Sequence, residues 1–216
     1  MDYEGQIALT FDDGPEPEVT PTVLDTLREH NLKATFFVNG AKASRHPGII
    51  RRIVREGHTL GNHTYSHPNM ASLSPEQMRV ELQSTQEAVD QALGYHYDMS
   101  MMRPPYGEPY YANRGTLSRF QKVMRGQRLY SVLWSIDSRD WALTGQPRSI
   151  VRTALQNTGE SGGVLLLHDT HQSTAKALSP IITRYKKKGF EFAGVAELLA
   201  NKYGVELERQ AQEPRQ

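Results

Sequence analysis

Short apolar runs alternate with helical patterns along the whole chain, and this alternation limits the fold more than any other feature of the sequence. Each of seven strand-like segments is followed by a helical pattern. Strict alternation favours parallel strands joined by right-handed crossovers. The strands are predicted at 6–11, 34–38, 58–61, 99–103, 129–137, 164–168 and 191–193, and the helices at 20–30, 47–57, 75–93, 117–125, 147–157, 175–187 and 195–203. The sequence therefore predicts an α/β fold, built either as a barrel or as an open doubly wound sheet.

The domain organisation follows from the length and the continuity of the sequence. The chain has 216 residues, enough for one large domain or two small ones. It contains no internal repeat, no low-complexity linker and no change of composition that would separate two units. We expect a single domain over residues 1–204 and a polar C-terminal tail at 205–216 that frays.

Charge and composition exclude several classes of protein. Lys and Arg number 25 against 24 Asp and Glu, whereas a nucleic-acid-binding protein usually has a clear basic excess, so no nucleic-acid partner is expected. No apolar stretch reaches the ~20 residues of a membrane-spanning helix, so no membrane insertion is expected. The chain has no cysteine, which removes disulfides and thiolate metal sites. Any metal here has to be held by nitrogen and oxygen.

Ionisable residues collect at the ends of five of the predicted strands. Because the carboxyl ends of parallel strands meet at one edge of a sheet, where α/β folds build their sites, we expect these side chains to form one site. In chain order the clusters are Asp12 with Asp13, His63 with His67, Arg103, Asp137 with Asp140 and Trp141, and His168 with Asp169.

Two of these clusters have the residue types of a catalytic metal site. Imidazoles spaced four residues apart, as in His63 and His67, point the same way on a helical turn. Two imidazoles with one carboxylate leave an open position on a zinc ion. Asp12 and Asp13 supply carboxylates, of which one ligates the cation while its neighbour, paired with Arg103, receives a proton. The alternative is a plain turn, since Asp-Asp-Gly-Pro is favourable turn chemistry without any metal.

The end of the sixth strand has two interpretations. His168 follows the most apolar run of the chain, V-L-L-L, and a histidine in such a place is often a satisfied core residue. An aspartate from the end of the fifth strand would instead orient the ring and keep it charged, which makes it a proton donor near neutral pH. Trp141 is either a core residue or the wall of a substrate pocket, whereas Trp134, inside the fifth strand, is predicted to lie in the core.

Five short motifs occur in a fixed order between about Ile7 and Leu199. They are T-F-D-D-G-P at 10–15, H-T-Y-S-H at 63–67, R-P-P-Y-G at 103–107, D-S-R-D-W at 137–141 and L-L-H-D at 166–169. Each motif alone is weakly informative, but the ordered set is highly specific. In these motifs the sequence resembles the NodB-homology polysaccharide deacetylases, carbohydrate esterase family 4.

The resemblance implies a distorted, TIM-barrel-like (β/α)7 barrel, in agreement with the seven predicted strands. It implies that Asp13, His63 and His67 ligate one divalent metal ion, with Asp12 as the general base. The chain has the second aspartate of the first motif, so we expect full metal dependence. The ion is expected to be Zn2+, with Co2+ and Ni2+ as alternatives that the same ligands suit.

The remaining catalytic and pocket residues also follow from the resemblance. Arg103 would hold Asp12 ionised and oriented, and Tyr106 would offer its backbone N–H to the developing oxyanion. His168 would be the general acid, tuned by Asp140. The substrate-binding residues implied by the motifs are Trp141, Leu166, Pro105 and Tyr106.

The activity implied by the resemblance is hydrolysis of N-acetyl groups from N-acetylglucosamine-containing glycans to free amine and acetate. The substrate stays open among peptidoglycan, chitin-type glycans and poly-N-acetylglucosamine. One rival is an acetylxylan-type O-acetyl esterase, because the same machinery cleaves an ester more easily than an amide. Another is a non-catalytic, metal-containing carbohydrate-binding barrel, whose sequence would lack Asp12 or His168.

The expected partner is an acetylated glycan, and we expect a monomer. The resemblance favours the cell envelope, either periplasmic or secreted. A cytosolic sugar-amide hydrolase is the alternative, because no signal peptide opens the chain.

The segment after the third motif is rich in tyrosine and basic residues. Tyr110 and Tyr111 either stack on sugar rings or pack against the protein. Between 109 and 128 there are five basic residues and no acid. A solvated helix face is the favoured interpretation of that segment, and steering of an anionic polymer is the alternative.

Overall fold

The computed structural model describes residues 5–203, and for 201–203 the backbone only. This range contains eight strands and eight helices, with 3-10 turns at Met70–Ser72 and Pro105–Gly107. The strands are β1 (Gln6–Asp12), β2 (Thr35–Val38), β3 (Thr59–Asn62), β4 (Met101–Met102), β5 (Tyr130–Ser131), β6 (Ile136–Asp137), β7 (Gly162–His168) and β8 (Glu191–Phe192). The helices are α1 (Thr20–Glu29), α2 (Gly40–Arg45), α3 (Pro47–Arg55), α4 (Pro75–Leu93), α5 (Arg114–Gly126), α6 (Pro147–Gln156), α7 (Gln172–Lys187) and α8 (Val195–Tyr203).

All strands pair in parallel in a single curled sheet with the order β5-β4-β3-β2-β1-β7-β6. The strand β8 pairs with the first residues of β1, whereas β2 pairs with its last residues. Helices connect successive strands, as the crossover rule for parallel strands requires. With β5 and β6 counted as the two ends of one strand, the fold is a distorted (β/α)7 barrel, and the predicted fold class is confirmed.

The prediction of one continuous strand from 129 to 137 is wrong, because this segment changes its pairing partner halfway. The N–H of Val132 donates to Met102 O on β4 at 2.8 Å, and the N–H of Ser135 donates to Val164 O on β7 at 3.1 Å. Between them the carbonyls of Val132 and Leu133 accept hydrogen bonds from a guanidinium inside the barrel. The chain itself therefore bridges the two edges of the sheet, which closes the barrel without a continuous ladder.

The strict alternation is also wrong at one helix, and some predicted bounds shift. The helix α2 directly precedes α3, and the side chain of Asn39 caps it by accepting from the N–H of Lys42 at 3.1 Å. Six residues are too few to show a helical period in the sequence. The predicted capping box at the start of α4 is present, since Ser74 and Gln77 exchange side-chain to backbone hydrogen bonds. The predicted strand at 99–103 pairs only over Met101–Met102.

The alternation of side chains along β1 separates two cores. Ile7, Leu9 and Phe11 are fully buried against the helix layer outside the sheet. Ala8 points to the barrel interior, where it belongs to an apolar cluster that includes Val195 and other residues of α8. Burying one large apolar side chain is worth about 1.5–3 kcal/mol, so the outer layer and the α8 end can stabilise a barrel whose opposite end is polar.

No helix within residues 5–203 has the length and apolarity needed to cross a bilayer. The tail predicted at 205–216 lies outside the described residues. The division into a catalytic domain and a tail stays a prediction.

Candidate active site

A cavity of about 430 Å3 opens at the carboxyl ends of the strands. Residues from every predicted cluster except the buried Arg103 line it, because the loops after parallel strands converge at this edge. The lining consists of Asp12, Asp13, His63, His67, Pro104, Tyr106, Trp134, Asp137, Trp141, Leu166, His168, Thr170 and His171.

Arg103 lies inside the barrel below the cavity and is fully buried. Its Nη1 donates to Asp12 Oδ1 at 2.7 Å and to Thr10 Oγ1 at 2.9 Å. Its Nε and Nη2 donate to the carbonyls of the interrupted strand at 3.0 and 3.1 Å. The guanidinium carbon also lies 4.2 Å from the centre of the Phe37 ring. A buried cation with this many acceptors and one carboxylate partner is compensated, and it cannot leave Asp12 without a large cost.

Asp12 is buried, and its two carboxylate oxygens have different surroundings. Oδ1 is held by Arg103, as described above. Oδ2 faces the cavity, 3.9 Å from His63 Nε2. One oxygen is therefore fixed by a cation, and the other remains for a group that enters the cavity.

Asp13, His63 and His67 place three ligand atoms together at the cavity. Asp13 Oδ1 lies 3.2 Å from His63 Nε2 and 3.1 Å from His67 Nε2. The carbonyl of Arg103 lies 2.7 Å from His63 Nδ1, so Nδ1 carries the proton and Nε2 presents a lone pair to the cluster. Asp13 Oδ1 is buried without a hydrogen-bond donor. Converging acceptors without a donor fit a cation, and among residues 5–200 this is the one cluster of three such side chains.

The charges in this cluster depend on one another. Burial lowers the pKa of His63, but the carboxylates of Asp12 and Asp13 outweigh it, and the pKa lies above its ordinary value. Burial raises the pKa of Asp13, but the two imidazoles outweigh that effect, and the pKa lies below its ordinary value. Without a metal the histidines compete for protons at the same nitrogens, so cation binding has to release protons.

The two histidines are not on a helical turn, and that part of the prediction is wrong. The segment from His63 to His67 is a loop, in which Thr64 and His67 have φ values of 64° and 62°. Its rings still converge, with centres 5.0 Å apart. Glu81 on α4 holds this loop, since Oε2 accepts from the N–H of Tyr65 and of Ser66, both at 2.8 Å. The spacing of the histidines reflects a tethered loop and not helical geometry.

Backbone strain is concentrated around the cavity. Seven non-glycine residues between 5 and 203 have positive φ, and five of them belong to loops at the carboxyl edge. Each such residue costs roughly 1–2 kcal/mol, and strain of this kind is kept where a site requires it. The five are Asp13, Thr64, His67, Tyr106 and Arg139.

His168 and Asp140 form a pair on the opposite side of the cavity. Asp140 Oδ1 accepts from His168 Nδ1 at 2.8 Å, and Oδ2 accepts from the N–H of His168 at 2.7 Å and from Thr174 Oγ1 at 2.8 Å. Burial lowers the pKa of His168, but the hydrogen bond and charge of Asp140 outweigh it and raise the pKa to about 9. The ring is therefore an imidazolium at neutral pH, and Nε2 is the nitrogen that remains for a ligand.

The predicted pocket residues divide into those that line the cavity and one that does not. Trp141 is exposed and lines it, and Leu166 lines it from β7. Tyr106 also lines it, and its backbone N–H donates no hydrogen bond within the described part of the chain. The hydroxyl of Tyr106 lies 3.2 Å from His67 Nδ1. Pro105 is buried and does not line the cavity, whereas the neighbouring Pro104 does.

Sequence reasoning misses or misplaces several residues of the site, among them Glu81, Thr170 and His171. Glu81 gives no signal, because it is one of several polar residues on α4. Trp134 is predicted to lie in the core, but it lines the cavity, and its ring centre is 5.7 Å from the carbon of the Arg103 guanidinium. Asp169 is predicted in the cluster at the end of the sixth strand, but its contact with the turn at 12–15 is not.

Asp169 supports the turn that carries the two aspartates. A Cβ on Gly14 would lie 2.2 Å from Asp169 Oδ2, so only glycine fits against this carboxyl group. Thr20 Oγ1 donates to the same oxygen at 2.6 Å and accepts from the N–H of Glu16 at 2.7 Å. Burial raises the pKa of Asp169 to about 7. The Asp169 carboxyl group thus packs against Gly14 and supports the turn at 12–15.

The tyrosines after the third motif differ in their surroundings. Tyr110 packs edge-on against Phe120, with ring centres 5.9 Å apart, so it is a packing residue. Tyr111 is 73% exposed, and its contact with sugar rings stays a prediction.

Comparison with known proteins gives consistent matches. The polysaccharide deacetylase family model matches residues 2–123. The peptidoglycan-N-acetylglucosamine deacetylase PgdA of Listeria monocytogenes is 38% identical over 200 residues, which cover 93% of this chain and 40% of that protein. The chitooligosaccharide deacetylase of a Bradyrhizobium strain is 36% identical over 210 residues, covering 89% and 90%. This chain thus spans well under half of the Listeria relative and nearly all of the rhizobial one.

A solved structure gives the same result for the fold. A peptidoglycan N-acetylglucosamine deacetylase, crystallised with an N-hydroxybenzamide compound, superposes with a TM-score of 0.79 at 38% identity. The match covers 90% of this chain and 88% of that one. The likeness therefore extends over the whole barrel and not only over the motifs.

Proposed function

The chain belongs to the polysaccharide deacetylase family, and we propose that it hydrolyses N-acetyl groups on the N-acetylglucosamine units of peptidoglycan. One observation carries the proposal. A carboxylate held by a buried arginine and an imidazolium held by a buried aspartate line the same cavity, with the Asp13–His63–His67 cluster beside the carboxylate. Amide hydrolysis needs a base, an acid and an electrophilic aid at the carbonyl. The carboxylate and the imidazolium supply the first two, and the cluster would hold a cation that supplies the third.

Asp13, His63 and His67 are the residues that would hold a divalent cation, with two nitrogen ligands and one oxygen ligand. Such a cation supplies Lewis acidity, which polarises the carbonyl of the acetyl group. Zinc is the expected ion, and cobalt or nickel suits the same ligands. Tyr106 supports the cluster, since its hydroxyl contacts His67.

Asp12 is proposed as the general base. Oδ2 faces the cavity, whereas Oδ1 is bound to Arg103, so the carboxylate has one oxygen free to take a proton from the attacking water. Arg103 positions this carboxylate by donating to Oδ1 at 2.7 Å. The base is thus oriented before substrate binds.

His168 is proposed as the general acid. An amine is a poor leaving group unless it gains a proton as the C–N bond breaks. Asp140 keeps His168 charged at neutral pH and fixes the ring, so that Nε2 can give its proton to the nitrogen of the sugar. The products are then a free amine and acetate.

The remaining groups bind the acetyl group. The free N–H of Tyr106 would donate to the oxyanion, and the loss of one such donor typically costs about 100-fold or more in rate. Trp141 and Leu166 provide apolar surface for the methyl group. Because peptidoglycan lies outside the cytoplasm, we place the protein at the cell wall. We propose that it acts there as a monomer.

The proposal is tested by measuring acetate release from peptidoglycan, chitopentaose and acetylxylan. We expect release from peptidoglycan, with slower release from chitopentaose, and a loss on the order of 1000-fold in the Asp12→Asn variant. Release from acetylxylan alone would assign the chain to the O-acetyl esterases. If a folded, metal-loaded protein released no acetate from any of the three glycans, the proposal would be overturned.

A further inference from the structure

A second, larger cavity lies on the outside of the barrel, in the groove between α6 and α7. Its volume is about 800 Å3, nearly twice that of the active-site cavity. Five exposed basic side chains line this groove, and no acidic side chain does. They are Arg148 and Arg152 on α6, Arg184 and Lys176 on α7, and Lys188 just after α7.

The groove is basic although the chain as a whole is not. The helices α6 and α7, together with Lys188, contain seven of the 25 Lys and Arg residues and none of the 24 Asp and Glu residues. The rest of the chain therefore has eighteen basic residues against twenty-four acidic ones. Positive charge is concentrated on one face of a molecule whose remainder is acidic.

The five groove cations have no partners of their own. Within residues 5–200 no ion pair and no side-chain hydrogen bond engages any of them. Arg148 and Arg152 are four residues apart on α6, and Arg184 and Lys188 are four apart at the end of α7. Like charges at this spacing destabilise a helix, whereas a Glu–Lys pair at the same spacing would stabilise it. An anionic ligand removes that repulsion.

The N-terminal ends of α6 and α7 lie at the edge of the sheet that carries the active site. His171 lines the active-site cavity and is the N-cap of α7. Lys176 follows five residues later, roughly 7 Å along the helix, and Lys188 lies roughly 18 Å beyond Lys176. Pro147, the first residue of α6, lines the same end of the groove. A polymer that leaves the active site over His171 can therefore continue along the groove.

We propose that the α6–α7 groove binds the acidic stem peptides of the peptidoglycan strand whose N-acetylglucosamine unit occupies the active site. This inference rests on the proposed function, because it takes peptidoglycan as the substrate. Stem peptides carry free carboxylates on a short peptide with small apolar side chains. The groove matches both features, since cations form its walls and Val151, Leu155 and Pro180 supply apolar surface. Arg and Lys side chains at such a rim supply long-range attraction that salt screens.

The test is co-sedimentation of the protein with peptidoglycan sacculi from which phosphodiester polymers have been stripped. The groove variant carries Arg152→Glu, Lys176→Glu and Arg184→Glu. The matched control carries Arg114→Glu, Lys122→Glu and Arg125→Glu, which make the same charge change on the exposed face of α5. We expect about tenfold weaker binding for the groove variant, less than twofold for the control, and a loss of wild-type binding as salt rises. Unchanged midpoints of thermal unfolding check that both variants fold.

Three outcomes would overturn the proposal that the groove binds stem peptides. They are wild-type binding by the groove variant, equal losses of binding in both variants, and binding only to sacculi that keep their phosphodiester polymers. The last result would show that the ligand of the groove is a phosphate-bearing polymer and not the stem peptide. Failure of the proposed function looks different, since stripped sacculi would then bind through the groove without releasing acetate. Acetate release combined with wild-type binding by the groove variant would remove the groove inference alone.

Discussion

The two sides of the active site pair carboxylates with imidazoles in opposite ways. Asp140 has donors on both oxygens, from His168, Thr174 and the N–H of Trp141. Asp13 instead has one oxygen buried among two imidazole nitrogens with no hydrogen-bond donor. The hydrogen bonds of Asp140 are made within the protein and fix a proton on the His168 ring. Asp13 Oδ1 lacks such a donor, and a cation would compensate its charge.

This difference shows how one fold separates two tasks that use the same residue types. A carboxylate that receives every donor it can accept stays ionised and holds its histidine charged. A carboxylate left among lone pairs gains its stability from a metal instead. Asp12 lies between the two sides, because Arg103 satisfies one of its oxygens and leaves the other free. The variants below test each side in turn.

Asp12→Asn should have the largest effect. The amide cannot accept a proton, so turnover should fall on the order of 1000-fold. The metal cluster is intact, and metal content should stay at one ion per chain by elemental analysis. Retention of more than a tenth of the activity would remove Asp12 as the base.

His168→Ala tests the His168–Asp140 pair, in which the carboxylate has hydrogen-bond donors on both oxygens. Amide substrates should lose on the order of 100-fold in kcat, whereas activated esters should lose little, because their leaving groups need no proton. His96→Ala is the matched control, since His96 also bonds to an aspartate, Asp90, but lies 68% exposed at the surface. Equal losses on amides and esters would contradict the role of His168 as the acid.

Asp140→Asn should change the pH dependence more than the maximal rate. The acid works only while protonated, so activity falls as pH rises through the pKa of His168. Removing the charge of Asp140 lowers that pKa from about 9 toward the ordinary 6.5. The alkaline limb of the kcat profile should therefore move to lower pH, with a loss of about fourfold at pH 7 if the pKa reaches its ordinary value. An alkaline limb that stays in place would separate Asp140 from the proton donor.

Glu81→Gln tests the loop that carries two of the cluster residues, and we expect the smallest effect here. The amide can still accept one hydrogen bond, but it loses the charge that holds the N–H groups of Tyr65 and Ser66. Metal affinity should fall by about threefold to tenfold, since groups that orient ligands typically contribute 10–100-fold when they are removed entirely. Glu76→Gln on the exposed face of the same helix is the control. Equal affinities in both variants would show that Glu81 does not support the site.

Residues with a fixed relation to a strand end could be placed from the sequence. Asp12, Asp13 and His168 directly follow or end strands, so their position at the carboxyl edge follows from the parallel topology. The residues that hold these side chains in position could not be located from the sequence in the same way. Glu81 reaches the loop from a distant helix, and the tether depends on packing that no local pattern records.

The interrupted strand shows a second limit of sequence reasoning. The apolar run from 129 to 137 looks continuous, because the alternation of its side chains says nothing about which neighbour each residue pairs with. Arg103 takes two of its carbonyls inside the barrel, and Trp134 consequently faces the cavity. The sequence located this segment, but the buried cation that reshapes it comes from another strand.

The most direct test of the account is metal dependence of acetate release, measured on the wild type and on His67→Ala after removal of metal by a chelator. The account predicts an inactive metal-free wild type, which recovers as one equivalent of Zn2+ or Co2+ is added, and a His67→Ala variant that binds metal far more weakly. His171→Ala, at the same cavity but outside the cluster, should still bind one ion. Acetate release that persists in the metal-free wild type would contradict the account.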